Sequence, residues 1–424
     1  MNEINNIPPN WNEKKIEDIC DILDYMRIPL NAQEREKIKG NIPYYGANGV
    51  QGYINKFLFN EDLILIAEDG GNFEQYATRP IAYKISGKSW VNNHAHILKV
   101  KEGYDINFVF YSLVHKNILP FIKGGTRSKL NQSELREITI IVPNSIDEQF
   151  TIGQLLSKLD KGLELTHELI DKNNRIKQGM MHDLLTKGID EKGNIRSEAT
   201  HTFKDSPLGR IPVEWDVDKV ENHLESIDQG WSPQCEFEAA NTGEWGVLKT
   251  TAVTWDGYNP FENKRLPSHL TPRPQYEVKQ GDILMTRGGP NSRVGVVSFV
   301  QDTREKLMLS DKLYRLIPKK HMRAKYLALA LSTDATQRHL STMKTGMAES
   351  QTNISQEIVK NLNIKIISLP EQDRIIQLLQ LHEDNIEKLN MQFNKLKKIK
   401  TGLMQDLLSG RVLVTDIILE DVAM

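Results

Sequence analysis

Residues Asn41-Ile42-Pro43-Tyr44 set a side-chain amide three positions ahead of an aromatic ring, with a proline between them. An amide oxygen accepts hydrogen bonds and an aromatic ring stacks on planar groups, so the pair could hold a planar ligand that carries an amine. Such a loop also needs a group donor. A nucleoside cofactor calls for a strand, a Gly-rich turn and an acidic residue further on.

That support is missing here. The tetrapeptide looks like the catalytic loop of amino-methyltransferases, which implies an Asn oxygen and a backbone carbonyl accepting from the exocyclic amine of an extruded base, with the tyrosine stacked on it. The forty residues ahead of it, however, hold one glycine, Gly40. The nearest later candidate, Phe121 to Thr126, has its glycines misplaced and runs into basic sequence. The tetrapeptide therefore reads as the start of a strand, and a stand-alone N6-adenine DNA methyltransferase is the alternative. His94 and His96 would share a face of a strand and could hold a metal. No third ligand is evident, so they are expected at the surface or facing DNA. No phosphate loop, Cys-x-x-Cys pair or metal-nuclease carboxylate pattern occurs. Of the tryptophans, Trp11, Trp215, Trp231 and Trp245 read as core, and Trp255, beside Asp256-Gly257, as a candidate for an exposed loop.

The 424 residues allow two or three domains of ordinary globular composition. No apolar run reaches the length of a membrane span, and two cysteines, Cys20 and Cys235, make no disulfide framework. A cytoplasmic protein is expected. A net charge of −2 offers no general attraction to nucleic acid, so any such binding must come from local patches. Two basic runs qualify, Lys116 to Arg136 and Arg304 to Lys325.

The chain also repeats itself. Residues 148–186 align without a gap on 371–409, an offset of 223, with about fifteen identities that include Glu148/Glu371, Gln149/Gln372 and Lys177/Lys400. Upstream, Ile7-Pro8 with Trp11 echoes Ile211-Pro212 with Trp215. Within each repeat apolar residues recur at alternating four and three spacing. Ile152, Leu156, Leu159, Leu163, Thr166 and Ile170 form one series, and Ile375, Leu379, His382, Ile386, Leu389 and Phe393 the other. That is a coiled-coil seam. The segments between are rich in short strands and turns without a βαβ order, which predicts mixed α+β domains.

Doubled Ile-Pro-x-x-Trp openings, Glu-Gln helix starts and Lys-x-Gly-[Met/Leu]-Met-x-Asp-Leu-Leu helix ends, flanking divergent halves, resemble the specificity subunit of type I restriction-modification systems. The resemblance implies an α+β fold with an internal pseudo-two-fold repeat. Two target-recognition domains, 1–147 and 211–370, are joined by two long antiparallel coiled-coil helices, 148–187 and 371–410. A linker at 188–210 and a tail at 411–424 complete the chain. It further implies binding to double-stranded DNA at an asymmetric bipartite site, with the helices setting the gap. The helices would also dock two methylation subunits, through which restriction subunits join. S-adenosylmethionine, ATP and Mg2+ would be used by those partners, and this chain would be non-catalytic.

The DNA-facing residues are expected on the Gly/Thr loops that occupy equivalent places in the two halves. These are Lys123, Thr126, Arg127 and Lys129 in the first, and Lys344, Ser350 and Gln351 in the second, with Arg287, Asn291 and Arg293 beside the turn at Gly288-Gly289. Length added between Met181 and Leu184, ahead of a flexible Gly188–Ser206 linker, should lengthen the gap.

Overall fold

A computed structural model describes residues 7–124, 128–344 and 352–414. The chain forms two compact units, Met1–Leu169 with Leu389–Met424, and Ile170–Lys388. Where the sequence suggests helices standing between domains, the units instead divide each long helix between them.

In the first unit, strand Leu63–Ala67 is buried along its whole length. It pairs antiparallel with Ala82–Ile85 and Ala95–Val100, and Cys20–Ile22 extends the sheet beyond the latter. Successive side chains of a strand point to opposite faces. Ile64, Ile66 and Leu98 accordingly join Phe108 and Val109 of helix Ile106–Val114 in one core, while Leu63, Leu65 and Ile97 join a second. This double burial explains an uninterrupted apolar strand. Asp105 caps the helix by accepting from Phe108 N at 2.8 Å. A further sheet contains Lys39–Gly46, antiparallel to Gly49–Ile54 and parallel to Lys88–Val91. Trp11–Lys15 pairs with Thr139–Pro143, which leads directly into the long helix Ile146–Thr186.

The second unit repeats this plan. Ile283–Thr286 lies between Leu313–Pro318 and Val297–Phe299, with Leu224–Gln229 on the outer side. Ile283 and Met285 share a core with Tyr326 and Leu327 of helix Ala324–Leu331, and Leu284 turns into another. Asp216–Lys219 pairs with Asn363–Ile366, which leads into the second long helix, Leu369–Leu407.

Both units pair the helices antiparallel. In the first, Leu156 and Leu159 share a core with Leu403 and Leu407, and the His167 and Phe393 rings lie 5.8 Å apart. In the second, Leu184 and Leu185 pack with Ile375 and Leu379. Thr166 stays buried because its hydroxyl donates to Gly162 O at 2.7 Å. No helix among the described residues is long and apolar enough to cross a membrane.

Three expectations need correction. The Gly188–Ser206 segment is not a flexible linker, since Ile189 is buried and Arg196 is bonded to Glu371. The basic run Arg304 to Lys325 does not form one surface. Arg304 donates to Glu244 O and Ala240 O, Arg315 to Asp228, Arg323 to Asp373 and Lys325 to Glu383. These four cations are paired within the unit, Arg323 at its surface. His96, expected at a surface, is buried between Asp24 and the Leu130 carbonyl.

Candidate nucleic-acid interface

One local arrangement recurs in both units and brings together some of the residues expected to meet DNA. In the second unit Gly288–Gly289 pairs with Thr352–Asn353, and Ile354 N donates to Arg287 O at 2.9 Å. Gly289 takes φ +142°, a conformation open to glycine and few other residues. In the first unit Lys129 bridges Asp69 just ahead of Gly70-Gly71, and Leu130 N donates to Glu68 O at 2.8 Å. Each Gly-Gly turn is thus fastened to the end of its Gly/Thr loop. The sequence shows these two elements sixty residues apart, and only strand pairing brings them together.

The side chains at this junction differ between the units. In the first, Lys123 is exposed and pairs with Glu134, whose carboxyl it holds down to about 2. Lys129 pairs with Glu68 at 3.0 Å, and Arg27 reaches the same carboxylate at 2.6 Å. Burial opposes ionisation of Glu68, but the two cations outweigh it and the carboxyl titrates below its usual range. Thr126 and Arg127 lie outside the described residues.

In the second unit Lys344 Nζ donates to Asn291 O at 3.0 Å, and burial lowers its ammonium below the ordinary lysine value. Arg287 lies over the Tyr314 ring, 5.5 Å from its centroid, and donates to Asp311 O. Arg293 is turned inward, where its Nη2 donates to Thr250 O at 3.1 Å and Val253 O at 3.2 Å. It therefore braces the hairpin Val253–Thr254/Gly257–Tyr258. Trp255 stands at the tip of that hairpin, 54% exposed. Phe261, close by in sequence, is 78% exposed. Ser350 and Gln351 lie outside the described residues. Trp255-Asp256-Gly257 carried a sequence signal as a turn, whereas Phe261 carried none, because an exposed aromatic in a loop has no periodicity to betray it.

The catalytic alternative fares differently. Asn41-Ile42-Pro43-Tyr44 lies within strand Lys39–Gly46. Tyr44 is 1% exposed and packs with Ile54 and Trp90. Its hydroxyl contacts both backbone groups of Leu30, accepting at 3.2 Å and donating at 3.3 Å. Arg35 covers the ring face at 4.9 Å. That ring is occupied as core and cannot also stack on an extruded base. His94 contacts Asp69 at 2.9 Å, and no group of three or more metal-competent side chains occurs among the described residues.

Comparison with known proteins fits this doubled geometry. The model of the type I restriction modification DNA specificity domain matches residues 8–177 and 241–398. The chain is 46% identical over 176 residues to the EcoEI specificity subunit of Escherichia coli, a match covering 41% of this chain and 29% of that one. It is 27% identical over 380 residues to a putative type I specificity subunit of Haemophilus influenzae, covering 87% of each. A type I restriction-modification S subunit from M. genitalium shares the fold, with a TM-score of 0.61 at 16% identity over 96% of this chain and 98% of that one.

Proposed function

Because this chain belongs to the type I restriction modification DNA specificity family, we propose that it is the sequence-reading subunit of such a complex. The observation carrying this reading is the junction of Gly-Gly turn and Gly/Thr loop, built once in each unit from different side chains. A repeated scaffold with divergent contact residues suits two different half-sites, so the target is bipartite and asymmetric. The loops enter the major groove, where all four base pairs are distinguishable. Lys123, Arg127, Lys129 and Lys344 supply phosphate or base-edge contacts. Arg287 and Arg293 act from behind by holding backbone, and Trp255 and Asn291 lie at the contact surface.

In this reading the long helices dock two methylation subunits, and restriction subunits join through them. S-adenosylmethionine, ATP and Mg2+ serve those partners in the cytoplasm, and this chain contributes recognition without catalysis. A near-neutral chain implies that the partners supply much of the phosphate attraction.

The test is methylome sequencing of cells expressing this chain with its cognate methylation subunit. The expected result is one split, asymmetric motif that disappears when this chain is omitted. Methylation by the chain alone would overturn it in favour of the methyltransferase alternative.

A further inference from the structure

The two units each carry one Trp–Glu pair from the internal repeat and complete it differently. In the second unit Glu371 is buried, and its carboxylate accepts from Trp215 Nε1 at 3.1 Å, from Ile189 N at 3.0 Å and from the Arg196 guanidinium. Arg196 arrives on the segment that follows the first long helix. That segment turns at Gly188, φ +67°, where a Cβ would strike Glu371, Trp215 and Arg196.

In the first unit Trp11 and Glu148 occupy the repeated positions. The chain leaving the second long helix turns likewise at Gly410, φ +66°, against Pro8 and Trp11. No guanidinium among the described residues takes that place, and Arg411, next to Gly410, reaches Asp406 instead. Trp11 is 3% exposed, and its Nε1 has no hydrogen-bond partner. Glu148 is half-buried and makes no ion pair among the described residues. Both line a cleft of about 390 Å³ together with Pro8, Ser145, Thr151 and Leu413. An indole N–H buried without an acceptor is destabilising, and a carboxylate lining the same cleft offers the remedy.

We propose that this cleft receives an arginine side chain from a methylation subunit, an inference that rests on the reading of this chain as a specificity subunit. Glu148 then turns inward, its two oxygens accepting from the guanidinium fork and one of them also from Trp11 Nε1, as Glu371 does with Arg196 and Trp215 in the second unit. Arginine suits the cradle because its planar fork matches a carboxylate with two donors, which a lysine ammonium does not. Among the described residues the cradle is left without a cation, since the neighbouring Arg411 is exposed and directed to Asp406. The cleft includes the opening turns of the first long helix, the repeated surface assigned above to methylation subunits. Since the second unit fills its own cradle, one of the two subunits is anchored this way.

Native mass spectrometry of the full chain with its cognate methylation subunit tests this. The wild type should hold two subunits. Glu148→Gln should weaken one of them by about ten- to a hundredfold and leave the other unchanged. Trp11→Phe, which keeps a ring but lacks the N–H, should act in the same direction. Two subunits held by both variants as tightly as by the wild type would overturn the proposal. A wild type that binds none would overturn the specificity-subunit reading beneath it, a distinguishable failure. A photoreactive benzoylphenylalanine at Thr151 should capture an arginine-containing peptide of the methylation subunit. Capture of residues 1–6, residues 415–424 or a second copy of this chain would also overturn it.

Discussion

Lys177 meets Glu383 at 2.8 Å, and this pair is the repeat image of Asp160 with Lys400, which are also bonded. Adding 223 to Asp160 reaches Glu383, and the same step takes Lys177 to Lys400. A helix pair in which each member supplies the acid once and the base once must run antiparallel. Each acid is also held from its own globular part. Tyr111 Oη donates to Asp160 at 2.7 Å, and Lys325 Nζ to Glu383 at 2.7 Å.

Glu383 makes this arrangement pH-dependent. Burial opposes its ionisation, but Lys177 and Lys325 outweigh burial and hold the carboxyl below its usual range. A depressed carboxyl stabilises the fold above its unfolded pKa, and that contribution is lost as pH falls through the folded value. Glu383→Gln should therefore destabilise the protein by about 1–3 kcal/mol at pH 7, because it leaves the sheltered Lys325 without its charge partner. The difference should fade below about pH 4. Urea denaturation of both proteins at the two pH values measures it; an equal deficit at both would remove the ion pair as its cause.

Gln149 and Gln372 fasten each long helix to its globular part. Gln149 donates to Pro143 O at 2.9 Å and accepts from Asp105 N at 3.0 Å. Gln372 donates to Ile367 O at 3.0 Å and accepts from Arg323 N at 2.8 Å. Either residue changed to Ala strands one buried donor and one acceptor, at a cost of about 2–4 kcal/mol. Chemical denaturation should give similar losses for the two variants. A loss below about 0.5 kcal/mol would mean that water replaces the amide.

Lys365 is buried, donates to Leu185 O at 2.8 Å, and has its ammonium lowered by burial to about 8. A lysine whose folded pKa is depressed is a burden while charged and is relieved as pH rises from about 8 toward its unfolded value. Wild-type stability should therefore gain on that of Lys365→Met between pH 8 and 10, by up to about 2–3 kcal/mol. Comparing the two proteins cancels Cys20, whose thiol burial pushes up to about 12 and which works in the opposite direction. Parallel curves over that range would show that Lys365 does not titrate there.

The residues proposed to meet DNA divide into those expected to touch it and those that brace the surface from behind. Arg127→Ala should weaken binding to all sequences and lower the salt slope by about one ion if it meets a phosphate. At a base edge it should relax one position by about 1–3 kcal/mol. Arg293→Ala should disturb the Trp255 hairpin and raise its proteolytic sensitivity in the free chain. Trp255→Ala should leave the free chain intact and weaken one half-site alone. Fluorescence anisotropy across a salt series, with targets mutated in either half, separates these outcomes.

Helix length should set the gap between half-sites. Because Arg196 and Ile189 hold the segment after the first helix, an insertion near Met181 would break the second unit's own packing. Matched insertions of one heptad after Leu169 and after Lys388, where each helix passes from one unit to the other, keep both seams. Seven residues add about 10 Å of helix, or about three base pairs at 34 Å per ten. Methylome sequencing should find the same letters with a wider gap. Altered letters at an unchanged gap would reject the helices as the ruler.

The sequence by itself determined the repeat, the two long helices and the family. These properties are local and periodic: a heptad seam from Ile152 to Ile170 or an offset shared by Glu148 and Glu371 needs no third dimension to be seen. Tertiary structure decided which polar residues are spent inside. Arg293 read as a DNA-facing residue in the sequence, and Arg315 and Lys325 as part of a basic patch, yet each is bonded within the fold. Tyr44 read as a candidate stacking ring, and a strand register buried it against Ile54 and Trp90. The difference between Glu148 and Glu371, identical in the repeat, arises from Arg196, nineteen residues before Trp215 and 175 before Glu371, which has no equivalent among the described residues of the first unit. Charge and aromaticity are properties of a residue, but exposure and pairing belong to the chain segments that fold against it, and those come from distant parts of the sequence.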